Sequence, residues 1–463
     1  MSTTHCGYVV KVKELRPHMN ADKLQIAKFF DCETCVGLDV KLGDMGIYFP
    51  SGLQLSEEFC IQNNLVRRKD ETGKNIGGYL EPDKRNIKTI RLRGEPSDGI
   101  FMALDSVAYT GVDMSLLTEG AVIHELNGHE ICDKYIPKVK AHNEFNGPNR
   151  TRKNKPKNIP IAPLFNEHAD TEQLAYNLNA FKPGDEIEIT LKLHGTSQRT
   201  GYLPMLKGYK RTLLDRIMRR DGTPIYEYGY VSGTRRTVLN DWEGGFYGSN
   251  MFRKKHADFF EGKLHKGEEV YYEVVGFTDE GMPIMSSASN KKLNDKDFLK
   301  KYGETTTFSY GCSCTGYCTY GDGSHDELPK SDFYVYRMTM TNEDGDVVEY
   351  APDFMRYRCE QMGCKCVPML WKGFIPDHPG ATYDNTISAG EWIKNIAEQY
   401  YDGPDPIGKT HVREGVVIRI LNRPKFCAYK HKNFAFKCLE GLVKAEETAP
   451  DMEEAEEVQN DET

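Results

Sequence analysis

No stretch of the 463-residue chain is apolar for long enough to cross a bilayer, and Met1-Ser2-Thr3-Thr4-His5 lacks the features of a secretory leader. Paired Cys-x-x-Cys knuckles are missing as well. Cys32-Glu33-Thr34-Cys35 has the spacing, but no second pair follows nearby, so these two read as strand cysteines. Thirteen cysteines without a leader point to a reducing, cytoplasmic compartment, with thiols buried or on metal rather than in disulfides. A positive net charge is absent too: the formal charge is −9. That charge is unevenly placed. Ala445 to Thr463 holds nine acidic residues and no lysine or arginine, and it reads as a disordered tail. Without those nine, the acidic residues of the body equal its 60 basic ones. A neutral body leaves local basic patches free to bind phosphate.

What is present begins with short strand signals. Tyr8–Val12, Gln25–Phe30, Gly46–Pro50 and Lys88–Leu92 are separated by Gly, Pro and Asp turns, a density that suggests a small barrel. Arg16-Pro17-His18-Met19-Asn20-Ala21-Asp22-Lys23-Leu24 resembles the His-Pro-Asn-Ala-Asp-x-Leu turn of tRNA-binding OB domains, with Met19 in the place of proline. The competing reading is a turn in which Asn20 and Asp22 bond local backbone. Further on, Arg150, Arg152, Lys153, Lys155 and Lys157 lie within Asn146–Lys157 with no acid among them, as in a solvated linker or a segment riding on phosphates.

Ile187 to Thr200 is the stretch with most chemistry. Ile187, Ile189, Leu191 and Leu193 alternate with Glu188, Thr190, Lys192 and His194, the period of a half-buried strand with Lys192 opposite the aliphatic face. Gly195-Thr196-Ser197 follow, small enough for backbone to approach a phosphate closely. Lys207, Lys210, Arg211, Arg216, Arg219 and Arg220 then cluster against Asp215. Glu268–Phe277 alternates as a buried strand, in which Glu273 shares a face with Tyr271 and Val275 and needs a partner. Near the end of the body, Glu414-Gly415-Val416-Val417 sets an acid in an aliphatic strand. Period two puts Lys430 and Lys432 on one face, where both can reach one phosphate.

Lys192-Leu193-His194-Gly195 resembles the nucleotidyl-lysine motif Lys-x-Asp-Gly of the covalent nucleotidyltransferases, with histidine in the aspartate position as in certain ATP-dependent RNA ligases. Five further matches follow in order. Arg235 or Arg236 stands for the arginine that holds the ribose, phosphate or RNA end. Glu273-Val274-Val275-Gly276 matches Glu-x-x-Gly, whose carboxylate contacts the sugar. Phe333-Tyr334-Val335-Tyr336-Arg337 occupies the place of the ring that stacks on adenine, Tyr336 preferred to Tyr334, with Arg337 replacing the usual aspartate. Glu414-Gly415-x-Val and Lys430-x-Lys432 complete the set.

The resemblance implies an α+β chain: an N-terminal OB-like β-barrel, then a nucleotidyltransferase (ATP-grasp-like ligase) domain of antiparallel sheets flanked by helices. Expected bounds are 1–125 for the nucleic-acid-binding domain, 126–159 for a basic linker, 160–444 for the ligase domain with a Cys-rich insert near 310–368, and 445–463 for the tail. It implies ATP-dependent sealing of 3′-hydroxyl and 5′-phosphate RNA ends. Lys192 would carry AMP, with Lys430 and Lys432 on the phosphates and Glu414 holding Mg²⁺ or Mn²⁺. Gly195, Arg235, Arg236, Glu273 and Tyr336 would complete the nucleotide site. Cys312, Cys314, Cys318, Cys359, Cys364 and Cys366, with His325 close by, are candidate ligands of a structural zinc. DNA ligases and capping guanylyltransferases, the nearest alternatives, carry an OB domain after the Lys-x-Lys motif, whereas 26 residues follow Lys437 here. A non-catalytic RNA-binding protein would not need Lys192, Glu414 and Lys430 together.

Overall fold

A computed structural model of the chain describes residues 5–69, 71–72, 75–135, 162–168, 171–218, 222–235, 237–239, 242–243, 247–285, 300–302, 307–377, 387–409, 411–423, 425–437 and 439. Most of the Asn146–Lys157 basic run's surroundings and the run itself, the acidic tail, Arg219, Arg220 and Arg236 lie outside the described residues. The chain is mixed α+β, with antiparallel sheets and few helices. Among the described residues no helix is long and apolar enough to cross a membrane. Contacts divide the molecule into two compact units.

The first unit holds the described residues up to Tyr135, with Glu172–Ala180 and the residues from Phe434 onward. Its strands are short, and among the described residues no sheet closes on itself, so the expected barrel is not formed by them. Gly7–Lys11, Met45–Phe49, Ile100–Ala103 and Val122–Ile123 form one sheet, and Leu15–Pro17, Leu24–Phe29 and Cys32–Gly37 another. The reason is visible in the packing of the first sheet. Val9, Ile47 and Phe49 point into one core cluster, while their neighbours Tyr8, Val10 and Tyr48 point into a second. A sheet covered with apolar side chains on both faces is a packed layer rather than a curled wall. In the turn that resembles the tRNA-binding motif, His18 Nε2 lies 3.0 Å from the Leu92 carbonyl, and Asn20 Nδ2 donates to the Arg93 carbonyl. These two polar groups are therefore bonded within the unit. Cys32 and Cys35 lie on a strand.

The second unit contains two antiparallel sheets that carry the candidate site. In the larger, Thr223–Gly233, Thr196–Lys210, Glu268–Gly276, Ser331–Thr341 and Val347–Glu349 run side by side, and Lys365–Cys366 adds in parallel to Ser331–Thr341. Val270, Tyr272 and Val274 pack with Phe252, Phe260, Val335 and Met355 in one core. Glu269, Tyr271 and Glu273 occupy the opposite face, as period two requires. In the smaller sheet the Glu186–Lys192 strand lies between Met369–Phe374 and Gly415–Ile420, and the latter pairs with Ala428–Lys432. The Glu186–Lys192 strand is covered on both sides, unlike the half-buried strand expected from its alternation. Glu188 is buried and its carboxylate meets Arg356 at 2.6 Å. The helix Pro352–Met362 starts with proline at its first turn and stops at Gly363 in a left-handed conformation. From it Arg358 donates Nε and Nη2 to the fully buried Glu268, at 2.9 and 2.8 Å.

Candidate active site

Gly415 organises the site. It pairs with Lys192 on one side and Lys432 on the other. Its φ is +151°, and a Cβ there would meet the His431 carbonyl oxygen at 2.2 Å and Lys432 Cα at 2.7 Å. Only glycine fits so close an approach. With the three strands drawn together, the preceding residue, Glu414, lies between the two lysines. Lys192 Nζ is 2.8 Å and Lys432 Nζ 3.4 Å from Glu414 Oε1. Burial alone would raise the Glu414 carboxyl, but the two ammoniums and the His194 ring outweigh it and hold the group well below the usual carboxylate range. Its other oxygen, Oε2, is buried, with His194 Nδ1 at 3.7 Å and no hydrogen bond from the described residues. A buried anionic oxygen of that kind is a donor a hard divalent cation would take, with phosphate oxygens completing the shell. Lys430 lies two residues from Lys432 on the same strand, opposite Val417.

Four residues past Lys192, at Thr196, the chain enters the larger sheet. A Cβ on Gly195 would lie 2.4 Å from the Val274 carbonyl oxygen and 2.9 Å from Glu273 Cγ. The close approach that this glycine permits is thus to the Glu268–Gly276 strand. Ser197, Glu273 and Tyr334 stand opposite one another across three strands, and so share a face. Tyr336 joins them through a register shift: Tyr271 faces Arg337 and Tyr272 faces Val335, which leaves Tyr336 as the extra residue of a bulge. Its hydroxyl lies 2.9 Å from Ser197 Oγ.

Arg337, in the place of the motif's aspartate, has an ion-pair role instead. It bonds Glu349, and its guanidinium lies over the rings of Tyr271 at 4.6 Å and Phe426 at 4.5 Å. Arg419 of the smaller sheet also lies over Phe426, at 4.9 Å, and within 3.6 Å of Glu349. The two sheets therefore meet along this charged and aromatic seam. His168 packs against Tyr271 and Tyr336 there, and its backbone N–H donates to the Arg235 carbonyl. Burial, followed by Arg337, Arg235 and Arg199, drives the His168 ring well below its ordinary value, toward the neutral form. The Arg235 backbone is thereby fixed beside His168, and its charge acts on that ring.

Several contributors gave no motif signal. Tyr310 is fully buried, has φ +48°, and its hydroxyl accepts the His194 backbone N–H at 2.7 Å. Phe308 packs edge-on to the His194 ring, with centroids 4.7 Å apart, and both aromatics enclose His411. Arg253 donates to the Ser197 carbonyl at 3.0 Å and to the Thr196 hydroxyl. Arg199 donates to the Thr234 carbonyl and stacks on Phe165 at 3.8 Å. These groups fix the backbone immediately after Lys192.

The six cysteines expected around a zinc ion do not gather. Cys359 contacts Cys364 and Cys366, but Cys312 is buried against Gly276, Cys314 is exposed, and Cys318 lies on a small hairpin with His325. His325 itself faces the Thr319 hydroxyl. Among the described residues no three or more His, Cys, Asp or Glu side chains are arranged to hold a metal, so a structural zinc site is not shown.

No protein-family model matches the chain. No curated protein matches it either. Solved structures do. An RNA ligase from Naegleria gruberi, as a mutant with AMP and Mn, is similar over 93% of this chain and 97% of that one, at 16% identity and a TM-score of 0.52. A second mutant of that ligase, with ATP and Mn, is similar over 96% and 100%, at 16% identity and a TM-score of 0.52. The same ligase with PPi is similar over 93% and 97%, at 15% identity and a TM-score of 0.51. At such identities the likeness establishes a shared fold over nearly the whole of both chains.

Proposed function

We propose that this chain is an ATP-dependent RNA ligase that joins 3′-hydroxyl and 5′-phosphate ends through a lysyl-AMP intermediate. The observation that carries the reading is the buried Glu414 carboxylate held between Lys192 and Lys432, at 2.8 and 3.4 Å, at the end of the strand that bears the Lys-x-His-Gly motif. The shared fold with a ligase whose structures contain ATP, AMP and Mn supports it.

In this reading the deprotonated Lys192 amine attacks the α-phosphorus of ATP. A phosphorus–nitrogen bond forms, the bond to the bridging oxygen breaks, and pyrophosphate leaves. AMP then passes to the RNA 5′-phosphate, and the 3′-hydroxyl displaces it as the phosphodiester forms. Lys430 and Lys432 lie on the phosphate side and stabilise charge on the transferring group. Glu273 and Arg235 are assigned to the sugar and phosphates, and Tyr336 to the base, its ring aimed by the bulge. Gly195 lets the lysine motif lie against Glu273. His194, 3.7 Å from the Glu414 carboxylate, adds to the positive field that keeps it ionised. Mg²⁺ or Mn²⁺, held by Glu414, would supply charge neutralisation at the α-phosphate.

The first unit is read as the part that grips polynucleotide, and the free state of all twelve described cysteines goes with a reducing, cytoplasmic setting. The test is sealing of a nicked RNA duplex by the purified protein with ATP and Mg²⁺. Joining that requires ATP and a 5′-phosphate is expected. Preferential reaction with GTP, or no nucleotide-dependent joining of any RNA end, would overturn the reading.

A further inference from the structure

The strands Thr196–Lys210 and Thr223–Gly233 form a hairpin whose root is buried and whose outer half is not. They stay paired from Arg199 with Gly233 out to Lys210 with Thr223. Register shifts between Leu206 and Gly208, which leaves Lys207 as the bulged residue. Between the strands lies the short helix Leu213–Ile217, started by a capping box of Thr212 and Asp215. Its apolar side chains are turned outward: Leu213 is 79% exposed, Leu214 68% and Ile217 76%, and Met218 just beyond it is 55% exposed. Ile225 and Tyr226 on the returning strand are exposed as well. An apolar cluster of this kind at the end of an arm marks a contact surface.

The charge around it names the partner. Between Lys207 and Asp221 the sequence has six basic residues against two acidic ones, while the body of the chain is neutral. One of the two acids, Asp215, is occupied by the Thr212 cap. Lys207 and Lys210 are exposed and make no ion pair with the described residues. A second copy of this tip would be repelled by its own charge. A five-residue helix is too short to lie in a membrane surface with a wide apolar face. Duplex RNA fits both features. Its wide, shallow minor groove is recognised by shape, so a projecting tip can enter it, and the phosphate rows on either side suit lysine and arginine.

The position of the arm fits this partner as well. The strand that leads to the tip begins at Thr196, four residues after Lys192, and its 15 residues span at most about 50 Å at roughly 3.3 Å each. We propose that this hairpin is a duplex-RNA grip: its apolar tip sits in the minor groove of the helix flanking the reacting ends, and Lys207, Lys210 and Arg211 contact phosphates. The proposal rests on the ligase reading for the location of those ends, but duplex binding tests it separately.

The experiment uses the full chain in three forms: wild type, Leu213→Ser/Leu214→Ser/Ile217→Ser, and Lys207→Glu/Lys210→Glu. Lysyl-AMP formation from labelled ATP is measured first and is expected to agree within about twofold across all three, since adenylylation does not require duplex contacts. Binding to nicked RNA duplexes with flanks of roughly 20 or roughly 6 base pairs is then followed by anisotropy over a range of salt. Each variant is expected to bind the long duplex about tenfold more weakly and the short one as wild type does, and the charge variant to lose about two units of salt slope. Equal binding of the long duplex by all three forms would overturn the proposal. So would duplex binding that persists while self-association, or attachment to anionic vesicles, is lost. Absence of labelling in the wild type would count against the ligase reading, and the duplex measurement would still decide the role of the arm.

Discussion

Substituting alanine at Gly415 tests whether three strands meeting at one residue are what assembles the site. The new Cβ would lie 2.2 Å from the His431 carbonyl oxygen and 2.7 Å from Lys432 Cα, whereas ordinary van der Waals contact is 3.4–4 Å. The strand bearing Lys430 and Lys432 must therefore retreat by more than about 1 Å, because the obstacle is backbone and cannot rotate away. Lys432 Nζ starts only 3.4 Å from Glu414. A displacement of about 1 Å at a reacting centre costs on the order of 100-fold in rate, and the overpacking costs roughly 1–3 kcal/mol in stability. Gly363→Ala is the control. That glycine also has a positive φ, +72°, but no atom lies within 4 Å of its added Cβ. Strain of about 1–2 kcal/mol is expected there without loss of adenylylation. The assay is the single-turnover rate of label transfer from α-labelled ATP, with Tm measured in parallel. A folded Gly415→Ala protein that labels within about twofold of wild type would refute the reasoning.

Three other outcomes follow from particular contacts. Arg358→Ala leaves the Glu268 carboxylate buried without its main cation, and a loss of roughly 3–5 kcal/mol in urea unfolding is expected; a loss below about 1 kcal/mol would contradict that picture. His256 is pushed down to about 4, chiefly by burial, while its ring faces the Ser331 hydroxyl at 2.9 Å. Because the unfolded chain binds this proton first as the pH falls from about 6.5 to 4, wild type should lose up to about 3 kcal/mol more than His256→Gln across that window. Parallel pH profiles for the two proteins would show the ring is not held neutral. Tyr310→Phe removes the acceptor of the His194 N–H, so adenylylation should slow about tenfold with little change in the KM for ATP. A change confined to KM would place Tyr310 in nucleotide binding instead.

Local pattern carried the chemistry further than it carried the fold. Alternation showed Lys192 at the end of a strand and put Lys430 and Lys432 on one face, because side-chain direction in a strand depends on parity alone. The acid beside a glycine at Glu414–Gly415 was legible for the same reason. Which strands pair was not legible, since register between distant segments is set by tertiary contacts. The first unit therefore looked like a closed barrel although its sheet is covered on both faces by separate clusters such as Val9 with Ile47 and Tyr8 with Tyr48. Glu188 looked solvent-facing because its partner, Arg356, is on a helix far along the sequence. Tyr310 was invisible: it lies 116 residues from the backbone it holds, in a stretch whose cysteines drew attention to metal binding. The departure of Arg337 from the expected aspartate became intelligible only with Glu349, Tyr271 and Phe426 around it.

The most direct test is the covalent adduct itself. Wild-type protein incubated with α-labelled ATP and Mg²⁺ or Mn²⁺, denatured, digested and mapped should carry AMP on Lys192, and Lys192→Ala should carry none. Label that persists in Lys192→Ala, or that maps to another residue of the wild type, would contradict the assignment of Lys192 as the nucleophile.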